Sequence, residues 1–425
     1  MLDINLIREN PQRVVQALKV RGEDEFVVAH IRALDARWRE DLARCETLKA
    51  ERNRESKRIG KLPAGQGRDE LIERMRTVGD QVKELDASSA ELREQIDALM
   101  LGVPNVPVDG VPEGADEEAN VVVRVEGTAP EFDFAPKAHW DLGPELGILD
   151  FERGARLSGS RFYVLMREGA QLQRALINWM LDEHLNRHGF VEAYPPFMVR
   201  SDCLRGTGQL PKFGDNLYHD AEEDLWLIPT AEVPLTNLHG GEILAEDDLP
   251  LRYTAYTACF RREKMSAGKD VRGIKRGHQF DKVEMVMYCT PEQSDAELAH
   301  LLNAAEDVCR GLELPYRVKE LCTGDLCFQA RRSYDVEVYA AGCDEWLEVS
   351  SCSDCGDFQA RRANIRYRPT GGGGPGFVHT LNGSGLALPR TLIAVIENYQ
   401  QADGSVVVPD ALRPYMRGLE RIEPK

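Results

Sequence analysis

Between Tyr256 and Met287 the chain reads YTACFRREKMSAGKDVRGIKRGHQFDKVEMVM, with Arg261, Arg262, Lys264, Lys269, Arg272, Lys275 and Arg276 in its middle. The whole chain carries a formal net charge of −18. Cations concentrated on an acidic protein ask for a local anion. A polyphosphate suits them, because pre-placed guanidinium and ammonium groups neutralise phosphate oxygens without reorganising. A solvated charged loop is the plainer reading of such a run taken alone. The order Phe-Arg-x-Glu, followed by Phe280 and then Glu284, favours a built site. The flanks are strand-like, with apolar YTACF on one side and Phe280, Val283, Met285 and Met287 on the other, which predicts a hairpin with a long loop.

That order resembles motif 2 of the class II aminoacyl-tRNA synthetases. Motif 1 of the class, a long helix and then a strand ending in proline, is matched by helix-like Glu168–His188 and by GFVEAYPP after it. Motif 3, a Gly-rich strand running into a helix at an arginine, is matched by NGSGLALPR at Asn382–Arg390. GTGQLPKF at Gly206–Phe213, PTAEVPLTN at Pro229–Asn237, EVSSCSDCGDFQARRANIRYR at Glu348–Arg368 and HTLNGSG at His379–Gly385 resemble bacterial-type seryl-tRNA synthetases in particular. The resemblance runs the whole length of the chain. It implies an α+β fold, an antiparallel sheet flanked by helices, with an N-terminal antiparallel two-helix coiled-coil arm.

The resemblance also implies a reaction. A serine carboxylate attacks the α-phosphorus of ATP and expels pyrophosphate, and a tRNA ribose hydroxyl then attacks the seryl-adenylate. The carboxylate is already nucleophilic, so positioning and charge neutralisation carry the catalysis. By motif position Arg261 would bridge the α-phosphate and the serine carboxylate, while Arg276 and Arg390 would take the terminal phosphates. Glu263 would contact the adenine end and Phe280 would stack on the base. The remaining ATP contacts expected are Arg262, Gly277, Glu348, Val349, Ser350 and Ser351, with Glu348 and Ser351 as oxygen donors for Mg²⁺. Serine would be read by Thr230, Ala231, Glu232, Arg261, Glu284, Asn382 and Ser384, a carboxylate meeting its ammonium and small polar groups its hydroxyl. Gly277 stands where many relatives carry valine, and is expected to loosen packing beside the adenine.

Two strings point elsewhere and are set aside. Lys264-Met265-Ser266 resembles the KMSKS loop of class I synthetases, but the His-x-Gly-His string of that class is absent, so it reads as coincidence. Cys352-Ser-Asp-Cys355 has metal-ligand spacing without a second tight pair, so no structural zinc is expected and both read as packing residues. The ten cysteines are scattered, as reduced thiols would be. At 42% hydrophobic and 29% charged, with no apolar run of membrane-spanning length and no signal-peptide pattern, the chain reads as cytoplasmic with no membrane partner.

The elements that position this chemistry divide into three segments. Residues 1–101 are expected to hold a small helical cap and the arm, 102–136 a proline-rich, acidic linker and domain entry, and 137–425 the catalytic domain. Within the arm Leu71, Met75, Val78, Val82, Leu85, Ser89, Leu92, Ile96 and Leu99 recur at alternating fours and threes, a heptad seam. Proline and glycine near residues 63–67 would break the helix and make a hairpin. Phe26–Lys61 has ten basic residues against six acidic, and Leu62–Leu101 five against nine, nets of +4 and −4. Complementary charge within a coiled coil accounts for this as well as nucleic-acid binding does. The resemblance favours the second, placing tRNA(Ser) on the arm at Arg52, Arg54, Lys57 and Arg58. ATP, L-serine and tRNA(Ser) are thus the implied partners, with tRNA(Sec) where present, in a homodimer formed through motif 1. A ligase for another small amino acid, a tRNA-independent relative loading a carrier protein, which the intact arm argues against, and a non-catalytic RNA-binding relative are the other readings. The intact motif arginines argue against the last.

Overall fold

The computed structural model describes residues 1–264 and 272–424, so Met265, Ser266 and Lys269 lie outside the described residues. It divides into two compact units, 2–104 and 105–425.

The first unit is a helical cap and a hairpin. Pro11 opens helix Pro11–Val20, where a missing N–H costs nothing, and the Asn10 side chain caps it by accepting from the Arg13 N–H. Helices Phe26–Ile59 and Gln66–Leu101 form the arm. The heptad seam is its core: Met75, Val78, Val82, Leu92 and Ile96 are buried against a stripe that includes Ile31, Leu34 and Cys45. At the base of the arm Met100 is buried where the periodicity expected Leu99. Interhelical ion pairs Lys49–Asp86 and Arg74–Glu51 realise part of the charge complementarity.

In the second unit an eight-stranded sheet runs Val121–Glu126, Tyr316–Glu320, Arg332–Ala340, Glu345–Asp354, His379–Ala387, Gln279–Cys289, Leu251–Phe260, Val191–Glu192. All joints are antiparallel except the last. This is the expected α+β sheet, with one addition. Val121–Glu126, from the segment read as linker, supplies an edge strand. The proline-rich composition around it masked six residues of strand.

The expected hairpin is present: Leu251–Phe260 pairs with Gln279–Cys289, Phe260 opposite Gln279. Alternation then assigns the faces. Val283, Met285, Met287 and Cys289 enter a core shared with helices Arg167–Arg187, Ser294–Gly311 and Leu388–Asn398. The helix expected at motif 1 contributes Leu172, Ala175, Leu176, Trp179 and Met180, the apolar face of a 3.6-residue repeat. Phe280, Lys282 and Glu284 fall on the opposite face; farther along it Val286 and Tyr288 pack with Leu235 of the short helix Glu232–Thr236 and Ala360 of Phe358–Ala363, and beside them the sheet floors a pocket.

Candidate active site

The pocket has a volume of about 640 Å³ and gathers residues from well-separated stretches of the chain. Arg261, Glu263, Arg276, Gly277, Phe280 and Glu284 come from the hairpin; Glu348, Val349 and Ser351 from strand Glu345–Asp354. Asn382, Ser384 and Arg390 come from the strand-to-helix turn, and Thr230 and Glu232 from the start of a short helix. A bulge explains how Glu348 and Ser351, three apart on a strand, share a face. Val336 pairs with Ser350 and Glu337 with Glu348, so one extra residue flips the alternation between them.

One end of the pocket holds two buried carboxylates and one lysine. Glu232 is 5% exposed, and its Oε1 accepts from Gln359 Nε2 at 2.7 Å, Gln329 Nε2 at 3.2 Å and Asn382 Nδ2 at 3.3 Å. Burial, with the neighbouring Glu284 charge, pushes its carboxyl up to about 7, against the opposing pull of Lys282. Lys282 is ion-paired with Glu284 and donates to Thr230 Oγ1 at 2.7 Å. The Glu232 backbone N–H also donates to Thr230 Oγ1, at 3.2 Å, so the Thr230 hydroxyl is left to donate to Glu284 Oε2 at 3.3 Å. Two buried carboxyls thus share one lysine.

The other end is cationic above an acidic floor. Arg261 is held by its Nε–H donating to the Pro229 carbonyl at 3.2 Å, and its guanidinium lies 5.0 Å from the Phe280 ring centre. Arg276 faces Glu263 at 3.7 Å. Arg390 Nη1 contacts the Glu348 carboxylate at 3.3 Å and donates to its carbonyl at 2.6 Å. Burial alone would raise the Glu348 carboxyl, but Arg390, Arg261 and Arg276 together hold it below the ordinary range. Asp335 beside it is pushed well up by burial and by the Glu348 charge, while a bond from Ser351 works in the opposite direction. Two close carboxyls and a hydroxyl form a hard-oxygen donor set, and a divalent cation would relieve their repulsion.

Three expected pocket residues fall outside it. Ser350 points away through the bulge, and its Oγ donates to the Ser384 carbonyl at 2.6 Å. Ala231 is fully buried in the core beneath, and Arg262 contributes a backbone bond to the Asn216 carbonyl at 2.9 Å. The basic loop is also divided. Arg272 lies over Trp140, 4.6 Å from its ring centre, rather than in the pocket. Gly277 does not loosen packing, because a Cβ there would stand 2.9 Å from the Gln279 carbonyl and 3.4 Å from Tyr163. Sequence reasoning missed Lys282, Asp335, Gln329 and Gln359. Alternation from Phe280 and Glu284 could have flagged Lys282; Gln329 and Gln359 carried no local signal. Cys352 and Cys355 are fully buried, and burial pushes the Cys352 thiol up to about 12.

On the arm, Ala50, Asn53, Arg54, Lys57, Arg58 and Lys61 line one shallow face. Arg52 lies on the opposite side of the helix at about 3.6 residues per turn, close enough to Asp86 of the other helix to act on its charge. Arg54 and Arg58 are both anchored by Glu55, at 3.1 and 3.4 Å.

The comparisons with known proteins agree with this geometry. The family description "tRNA synthetase class II core domain (G, H, P, S and T)" matches residues 215–399, and "Seryl-tRNA synthetase N-terminal domain" matches 1–107. The chain is 59% identical to a serine–tRNA ligase of Thermomicrobium roseum over 99% of its own length and 95% of the relative's. It is 60% identical to one from a Roseiflexus strain, over 99% of each. Among solved structures it is similar to the Pyrococcus horikoshii seryl-tRNA synthetase complexed with ATP, with a TM-score of 0.96, 41% identity and full coverage of both chains. It is also similar to the cytoplasmic serine–tRNA ligase of Naegleria fowleri in complex with AMP, with a TM-score of 0.90 and 29% identity over 100% and 99% of the two chains.

Proposed function

Because the chain belongs to the seryl-tRNA synthetases and is a serine–tRNA ligase, we propose a division of its pocket into a serine end and an ATP end. The observation that supports this most is the charge balance at one end of the pocket. Glu232 and Glu284 are buried with Lys282 as their shared counter-charge, and the α-ammonium of an amino acid supplies the second. Thr230, Asn382 and Ser384 then face its short side chain, where a hydroxyl satisfies polar groups that a methyl would leave unpaired. Arg261 holds the serine carboxylate against the α-phosphate, and Arg276 and Arg390 hold the outer phosphates. Phe280 offers a face to adenine and Glu263 contacts its edge. Mg²⁺ accompanying ATP would be held by Glu348 and Ser351, where it neutralises charge on the phosphates.

Transfer of serine goes to tRNA(Ser), and to tRNA(Sec) in an organism that has it. The basic face at Arg54, Lys57, Arg58 and Lys61 takes the RNA backbone. A homodimer forms through motif 1: Tyr194 is 82% exposed and Val191 is exposed on an open sheet edge beside helix Arg167–Arg187. Among the described residues no helix is long and apolar enough to cross a membrane, in line with cytoplasmic action. The test separates the two units. Arg261→Ala should abolish serine-dependent ATP–pyrophosphate exchange, whereas Arg54, Lys57 and Arg58 changed together to alanine should spare exchange and weaken tRNA charging. Exchange surviving in the first variant, or failing in the second, contradicts the division.

A further inference from the structure

Outside the pocket, His139, Cys343 and Glu397 bring their donor atoms within 4.8 Å of one another. The grouping has the proximity of a metal-ligand set, but its hydrogen bonds assign it another role. The Ile274 backbone N–H can only donate, and it meets His139 Nε2 at 3.1 Å, so Nε2 is the acceptor and the ring proton sits on Nδ1. Nδ1–H then donates to Glu397 Oε1 at 2.7 Å. A metal would need the nitrogen that carries this proton. Glu397 is saturated as well, accepting from the His139 N–H at 2.8 Å, the Cys343 N–H at 2.8 Å and the Cys343 thiol at 3.0 Å. His139 and Glu397 are both fully buried.

The two ends of this relay lie on the elements that carry the phosphate arginines. Glu397 is in the last turn of helix Leu388–Asn398, whose first turn carries Arg390. Ile274 is two residues before Arg276 on the returning limb of the motif 2 loop. The neighbours of His139 grip the same limb. Trp140 lies under Arg272 and Lys275, at 4.6 and 5.6 Å, and Asp141 faces Arg272 at 3.7 Å. Gly273, at φ +75°, permits the approach, since a Cβ there would stand 1.9 Å from His139 Nε2. We propose that the His139–Glu397 pair is a positioning device for the ATP site: through Ile274 it fixes Arg276 at a set distance from Arg390, so the two cations meet the phosphates together. The proposal rests on the assignment of Arg276 to the phosphates.

The test uses ATP–pyrophosphate exchange with the KM for ATP and for serine measured separately. In His139→Gln the amide oxygen reaches the place of Nε2 and can still accept from Ile274, while the backbone N–H of residue 139 still donates to Glu397 and keeps the limb tied to the helix. In His139→Asn the amide N–H replaces Nδ1–H toward Glu397 but leaves the Ile274 N–H without its acceptor. The asparagine variant should raise the KM for ATP about tenfold and leave that for serine within about twofold, while the glutamine variant stays near the parent. Gly273→Ala keeps both relay side chains but sets a Cβ against His139 Nε2 and so pushes the limb off the histidine; it should reproduce the selective loss if both histidine variants fold poorly. Arg276→Ala separates the two claims. If it leaves the KM for ATP unchanged, the phosphate assignment falls. If it raises that KM while asparagine and glutamine at 139 behave alike, or ATP and serine shift together, the positioning role falls. Combined with Arg276→Ala, the His139→Asn change should add no further loss.

Discussion

Serine binding should depend on pH through Glu232. Burial and Glu284 raise its carboxyl from 4.5 to about 7, so near neutrality a proton competes for the place where an ammonium must sit. An incoming α-ammonium stabilises the ionised form, so binding expels that proton. The KM for serine then scales as one plus the ratio of protonated to ionised Glu232: about elevenfold above its limit at pH 6 and about 1.1-fold at pH 8, a tenfold improvement over two pH units. The serine ammonium does not titrate in that window. The sign for stability is the reverse. The folded carboxyl retains a proton that the unfolded chain has already lost above pH 4.5, so this group's contribution falls as pH rises from 4.5 to about 7. The fall amounts to about 3 kcal/mol at most. The assay is exchange kinetics at saturating ATP from pH 6 to 8, with calorimetry in buffers of different ionisation enthalpy to count the proton. Glu232→Gln removes the titration; its serine KM should be about 10- to 100-fold higher and flat with pH. A flat profile in the parent, or a slope that survives in Glu232→Gln, refutes the reasoning.

Three further outcomes follow from particular contacts. Ser350→Ala removes the 2.6 Å bond that holds the Ser384 carbonyl; at about 1 kcal/mol the serine KM should rise about fivefold with that for ATP unchanged, as exchange assays will tell. A chelator that captures zinc but spares Mg²⁺ should leave melting temperature and exchange intact, because Cys352 and Cys355 are buried packing thiols; stoichiometric zinc lost on Cys355→Ser would contradict this. Alanine at Arg54, Lys57 and Arg58 should flatten the salt dependence of tRNA binding by about 0.7–0.9 in log–log slope per contact, whereas Arg52→Ala, on the opposite side of the helix, should leave the slope unaltered in filter-binding titrations.

The motif order placed the arginines, Glu232, Glu284 and Ser384 around one pocket because each stands on a strand or turn whose pattern is local. Period two was enough to put Phe280 and Glu284 on one face, and the heptad seam was enough to pair the arm helices. Ser350 escaped this logic because a bulge, which leaves no trace in residue type, reverses the alternation between Glu348 and Ser351. Gln329 and Gln359 were invisible for a different reason. Their partner Glu232 is 97 and 127 residues away in the chain, and no periodicity reports on such a contact. The edge strand Val121–Glu126 was hidden by the prolines beside it and by the unbroken valines Val121–Val123, which show no alternation. The His139–Glu397 relay joins residues 258 apart, and only the fold brings them together.

Amino-acid-dependent ATP–pyrophosphate exchange across all twenty amino acids tests the central claim most directly, because it reads the pocket without the arm. Serine should support exchange, and alanine, which lacks only the hydroxyl, should fall short in kcat/KM by about 10⁴-fold, with threonine and cysteine also far below serine. An amino acid that matches or exceeds serine would contradict the account of the site.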